Sequence, residues 1–254
     1  MKISILQIKK NNMTKKIGLF LLLFISLSIT SNAQFDKLKD KAKGILTGGG
    51  SLSNDDIGNG LKEALQIGIS KGSDALSQKG GYLNSAYKIL LPPEARSVAD
   101  KLKMVPGFSN FEEKAVEKIN AAAEDAAVKA KPIFMNAIKQ MTLKDAMNIL
   151  MGEKNAATEY LKKTTFKQLY DEFNPIIITS LDKFGARKYW TDGTTAYNKI
   201  PLVQKTNPNL DDYVTTQALN GLFSMVAEKE LAIRKNPAER VSDLLKKVFA
   251  KQDK

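Results

Sequence analysis

The sequence predicts an all-α fold, a multi-helix bundle-like domain with little or no sheet. Three observations predict it. Apolar residues recur at steps of three and four along nearly every segment after residue 50. The breaks between those segments carry helix punctuation: Ser, Thr or Asn caps, Pro at first turns and Gly at ends. No stretch beyond the N-terminal apolar run alternates polar and apolar residues with period two; Ile176-Ile177-Ile178-Thr179 is the one strand-like run and is too short to decide.

The chain opens on an export signal. Lys15 and Lys16 precede an uncharged, mostly apolar run from Ile17 to Ile29, and Ser31-Asn32-Ala33 supplies small residues for cleavage. The run is too short for a comfortable transmembrane helix. Residues 1–33 therefore read as a signal peptide, with translation starting at either Met1 or Met13 and the mature chain beginning near Gln34. Residues 34–52 read as a leader: Phe35–Leu46 is Lys-rich and amphipathic, and Gly48-Gly49-Gly50 uncouples it from the helical region after it.

From residue 53 to 254 the elements read as one helical domain. Ser53 with Asp56 forms a capping box, and Ile57, Leu61, Ala64, Leu65, Ala75 and Leu76 come after it at helical steps. Gly58, Gly60, Gly68 and Gly72 interrupt that helix; Gly68 and Gly72, one turn apart, either permit close helix approach or mark a break. Leu91-Pro92-Pro93 leads into a helix near Glu94–Met104, closed by Val105-Pro106-Gly107. Ser109–Met141 is the longest helical pattern, with Pro132 expected to kink or split it. Thr142 with Asp145 starts a helix that Gly152 ends. Thr165 with Gln168 reads as a further capping box, and Pro175 leaves Ile176–Phe184 as either a kinked continuation or a new helix. Leu219, Leu222, Phe223, Val226 and Ala227 make a core-facing stripe. Asn236 caps Pro237, and Val241, Leu244, Leu245, Val248 and Phe249 repeat the stripe.

Composition narrows the chemistry. The chain has no Cys and no His. That excludes a disulfide framework, a Cys-anchored lipid, His- or Cys-based zinc sites and Ser-His-Asp catalysis. Carboxylate, Lys, Tyr and hydroxyl chemistry remain. The presequence holds five lysines and no acid, so the net +12 falls to about +7 once it is removed. The excess is spread along the chain with no basic–aromatic motif, which argues against nucleic acid as a partner. The mature chain is expected to lack a membrane span and to reside in the periplasm or be secreted.

The residues from Leu52 to Phe249 resemble the bacterial exported domain-of-unknown-function family 4197. The resemblance rests on Leu52 through Ile57 with Gly60 through Leu65, on Ile89-Leu90-Leu91-Pro92-Pro93, and on Ala137 through Thr142 with Asp145-Ala146. It continues through Ala156-Ala157-Thr158 with Tyr160, Tyr197-Asn198-Lys199, Asp211 through Thr215, Ala218 through Phe223, and Ile233-Arg234 with Asn236-Pro237. It implies an exported, mainly helical protein and no particular activity.

Several residues are candidate sites. Asp55-Asp56 and Asp211-Asp212 are either cation ligands or helix caps. The Gly48–Gly50 triplet lacks the Lys-Ser/Thr of a phosphate loop. The stretch with Lys188, Tyr189, Trp190, Tyr197 and Asn198 pairs aromatic faces with polar heads and suits a ligand or partner; alternatively its rings anchor a helix junction. Arg234 either meets an anionic ligand or pairs with Glu230. Tyr82, Tyr87 and Leu90-Leu91-Pro92-Pro93 either form a lid or a partner-docking segment or close the bundle. The sequence thus predicts a non-catalytic ligand- or partner-binding protein of the cell envelope, with no metal and no cofactor. The alternative is a carboxylate-dependent hydrolase acting on envelope polymers.

Overall fold

The computed structural model describes residues 52–144, 146–206 and 209–253. The segments read as signal peptide and leader, with its Gly triplet, lie outside the described residues up to residue 51, as does Asp145.

All regular elements among the described residues are helical, as the periodicity predicts. Eight α-helices run in order: α1 (Asn54–Leu76), α2 (Pro93–Leu102), α3 (Phe111–Gln140), α4 (Ala146–Met151), α5 (Ala156–Lys183), α6 (Ala186–Asn198), α7 (Leu210–Lys235) and α8 (Asp243–Phe249). None is long and apolar enough to cross a membrane.

The four long helices form an antiparallel bundle. α1 packs on α3 and α7, and α5 packs on the same two from the other side. Cross-links give the directions. Lys62 Nζ reaches the Lys139 carbonyl while Ser73 Oγ reaches that of Ala127, so α1 and α3 run opposite ways. Tyr160 meets Thr142 and Ser180 meets Asp125, which sets α5 against α3. Thr158 meets Glu230 and Asn174 meets Thr215, which sets α7 against α5.

The entry to α1 matches the sequence pattern closely. Asp56 N–H donates to Ser53 Oγ at 3.0 Å, and Ser53 N–H donates back to Asp56. The helix runs unbroken through its glycines. A Cβ on Gly68 would sit 3.1 Å from Val226 Cα, and one on Gly72 would sit 2.9 Å from Met225 Cβ, so the pair lets α1 and α7 approach closely. Gly68→Leu is expected to destabilise the fold by about 1–3 kcal/mol through overpacking. A denaturant midpoint equal to wild type would show that the two helices can part without cost.

Two expectations are corrected and two open ones are decided. Thr165 is not a helix start: it lies inside α5, where its hydroxyl donates to the Leu161 carbonyl. A pattern of Thr with Gln three later is met inside helices too, because the hydroxyl can bond back to the previous turn. Of the alternatives open at Pro132 and Pro175, the structure takes continuation: α3 and α5 run through them. The segment after Asn236 is only a 3₁₀ turn, Pro237–Glu239, and the chain restarts at Ser242, whose Oγ accepts from Leu245 N–H. Val241 consequently falls between the two and is exposed.

The long connection between α1 and α2 closes one end of the bundle. Glu124 of α3 accepts from the backbone N–H groups of Gly80, Tyr82 and Leu83. Asn120, one helical turn earlier, pairs with both the N–H and the carbonyl of Ile89. Tyr82 is fully buried and donates its hydroxyl to the Ala218 carbonyl. Such anchoring makes the segment a cap rather than a lid.

Candidate functional site

Gly185, in the left-handed region at φ +64°, turns the chain from the end of α5 into α6. α6 carries five of the six residues singled out from sequence. Lys188 is exposed and pairs with Asp192 one turn on, at 2.6 Å. Tyr189 stacks on Phe111 with ring centroids 5.3 Å apart and also meets Phe108. Its hydroxyl is buried without a hydrogen-bond partner among the described residues. Trp190 is 3% exposed and packs against the same Phe111 ring, 6.0 Å away. Tyr197 is buried, and Asn198 holds the next loop through a two-way pairing with the Thr206 backbone, 3.0 Å each way. Gly193 is needed here because a Cβ would lie 2.1 Å from the Phe111 ring.

Arg234 lies at the opposite end of the bundle. α6 comes after the C-terminus of α5, whereas Arg234 bonds to Glu230, whose carboxylate sits on the N-terminus of α5. The 28 residues of α5 separate the two regions by about 40 Å. Arg234 donates to Glu230 Oε1 from both Nε and Nη2, at 2.9 and 2.7 Å, and to the carbonyls of Ile149 and Leu150 at the end of α4. Glu230 is completely buried and accepts from the N–H groups of Ala157 and Thr158 and from the Thr158 hydroxyl. Two helix dipoles and one ion pair are thereby closed on each other. Arg240 extends the cluster, capping α7 through the Ile233 and Arg234 carbonyls while pairing with Asp253.

The acidic pairs act at helix starts. Asp56 completes its capping box, and Asp212 N–H is capped by Asn209 while its carboxylate accepts from Tyr170. Asp211 pairs with Arg187. Among the described residues no group of three acids, His or Cys is placed to hold a metal ion.

The surface feature with the shape of a site lies elsewhere, over α3. Three depressions of about 580, 680 and 700 Å³ succeed one another along this helix. The first lies between α3 and the α1–α2 connection, with Leu83, Leu90 and Val116 in its wall. The second adds Ala121, Val128 and Phe184, ringed by Lys79, Lys114 and Lys118. The third opens between α3 and α5, over Ile176 and Pro175. Glu117 is common to the first two, and Asp125 and Val128 to the last two, so the depressions form a chain. Val128 is 56% exposed although flanked by buried alanines.

Several charges along this groove are held by local partners. Asp125 bonds to Lys183 and to the Ser180 hydroxyl. Partial burial works to raise its pKa, but these two bonds outweigh it and hold the carboxyl below the usual range. Lys183 also lies over the Phe184 ring, and Lys118 caps the end of α5 through the Phe184 carbonyl at 2.9 Å. Glu124, in the groove wall, is occupied by its three backbone donors.

Sequence reasoning missed this groove. Its walls come from four separate stretches of ordinary Lys, Glu and aliphatic residues, which share no motif. Its signals were Val128, an apolar residue off the buried stripe of α3, and Leu90, in the apolar loop singled out from the sequence.

A family model described as protein of unknown function (DUF4197) matches residues 51–250. No curated protein and no solved structure matches the chain.

Proposed function

This chain belongs to the DUF4197 family, and we propose that it is an exported, non-catalytic binding protein of the cell envelope that holds an extended polypeptide segment along α3. The Lys-led apolar run before Ala33 supports export. The chained groove is the observation that carries binding. From Glu112 to Lys129 it tracks α3 for about 25 Å, room for some seven or eight residues of extended chain. Its floor is aliphatic and its rims alternate Lys with Glu and Asp, which suits a peptide of interleaved apolar and charged side chains. A glycan would ask for stacked aromatic faces, and Phe184 is the one ring in the wall. Both buried carboxylates, Glu124 and Glu230, are saturated by structural donors, which favours binding over carboxylate hydrolysis.

The test is a displayed random-peptide library selected against the folded protein. Val128→Arg fills the groove from an exposed position and is expected to weaken the selected peptides at least ten-fold, with melting unchanged. Peptides that bind the variant as well as wild type, or a library that yields none, would sink the reading.

A further inference from the structure

Away from the groove over α3, two loops meet at the α6 end of the bundle. One is the turn after α2, Lys103 to Phe108; the other comes after α6, Lys199 to Thr206. Val105 and Phe108 of the first line a shallow depression together with Lys199 and Ile200 of the second and Ala196 near the end of α6. The residue next to Val105, Met104, is 77% exposed, and Leu202, two beyond Ile200, is completely so.

Leu202 is the one non-glycine residue at positive φ among the described residues, at +62°. A leucine there costs backbone energy and gains no packing, so the fold derives no stability from this side chain. Lysines lie in these loops and on the helices that lead into them. Lys103 and Lys188 are paired with Asp100 and Asp192, while Lys101, Lys199 and Lys205 are exposed and have no ion pair among the described residues. The local balance is positive. Apolar tips flanked by Lys are the arrangement that seats a protein on an anionic bilayer: the tips enter the acyl boundary and the ammonium groups meet lipid phosphates.

We propose that the loop pair 103–108 and 199–206 is a membrane-surface contact, with Met104 and Leu202 inserted into an anionic lipid surface and Lys101, Lys199 and Lys205 against its headgroups. Lys103 borders both this surface and the groove over α3, but none of the residues substituted below lines the groove, so either can fail without the other.

The experiment uses residues 52–254, which span the region matched by the family model to within a residue and hold all the described helices, once a melting curve shows that this part folds. Omitting the preceding apolar run keeps it from binding lipid on its own account. Co-sedimentation is measured with vesicles of phosphatidylglycerol and phosphatidylcholine, and with phosphatidylcholine alone. Binding is expected only with the anionic vesicles, falling several-fold between about 0.1 and 0.5 M salt as the lysine charges are screened. Met104→Asp with Leu202→Asp is expected to reduce it at least ten-fold, the effect of removing two apolar anchors. Asp tolerates the left-handed region better than Leu, so position 202 should not unfold, and a melting curve checks the pair. Lys199→Glu with Lys205→Glu should abolish the preference for anionic lipid. Equal binding to both vesicle types, full binding by the Asp pair, or no binding to either would overturn the proposal. So would self-association that Leu202→Asp abolishes without any vesicle binding, since the tips would then cover a second copy of the chain.

Discussion

Glu230→Ala is expected to remove about 3–5 kcal/mol of stability, which is the usual cost of breaking a buried ion pair from one side. The physical reason is what the substitution leaves behind. The carboxylate is completely buried and closes three donors at the start of α5, at 3.0, 2.7 and 2.6 Å, together with the Arg234 guanidinium. Without it the Arg234 charge keeps only the α4 carbonyls and the Phe249 ring as partners, still inside the protein. The N–H groups of Ala157 and Thr158 lose their acceptor as well. A domain holds only about 5–15 kcal/mol in all, so the variant should stand near the edge of folding. Glu230→Gln keeps the shape and one acceptor, and should fall between the two. Equilibrium denaturation with urea reads both. A loss under about 1 kcal/mol for the Ala variant would mean that water enters and replaces the carboxylate.

How much of this was legible in the sequence depended on whether the signal was local. The Ser53 box and the Leu219–Val226 stripe are local patterns, and the structure carries both. The Gly68/Gly72 pair was readable as a close approach, although its partner on α7 was not. The anchoring of the α1–α2 connection was not readable. Glu124 and Asn120 look like ordinary polar positions in an alanine-rich helix, and only the fold brings the Gly80–Ile89 backbone onto them. The groove over α3 was hidden for a similar reason, because its identity lies in the gap between elements rather than in any residue. Thr165 misled because a hydroxyl that caps a helix start can equally bond back within one.

The six residues singled out from sequence teach a different lesson, because periodicity already spoke about two of them. Trp190, Gly193, Thr194 and Tyr197 are spaced by three, one and three, the spacing of a helix's inner face, and all four are buried. Lys188 alone of the six is exposed, and it pairs with Asp192 one turn on.

Trp190→Ala is therefore expected to cost about 3–5 kcal/mol, as for any large aromatic removed from a core. The indole packs against Phe111, which also stacks on Tyr189 and lies against Gly193, so the cavity opens into a cluster whose other members are held in place. Such a site relaxes poorly, which puts the expected loss toward the upper end of that range. A peptide selected for the α3 groove should bind the variant normally wherever the variant remains folded, because none of the groove walls includes α6. Trp190 is also the sole tryptophan, so the wild-type protein can be read directly. Its emission should be blue-shifted and should resist soluble quenchers, and both properties should vanish together on unfolding. A red-shifted, readily quenched indole in the folded protein would place α6 away from Phe111. It would return the Lys188–Asn198 stretch to the surface as a binding element.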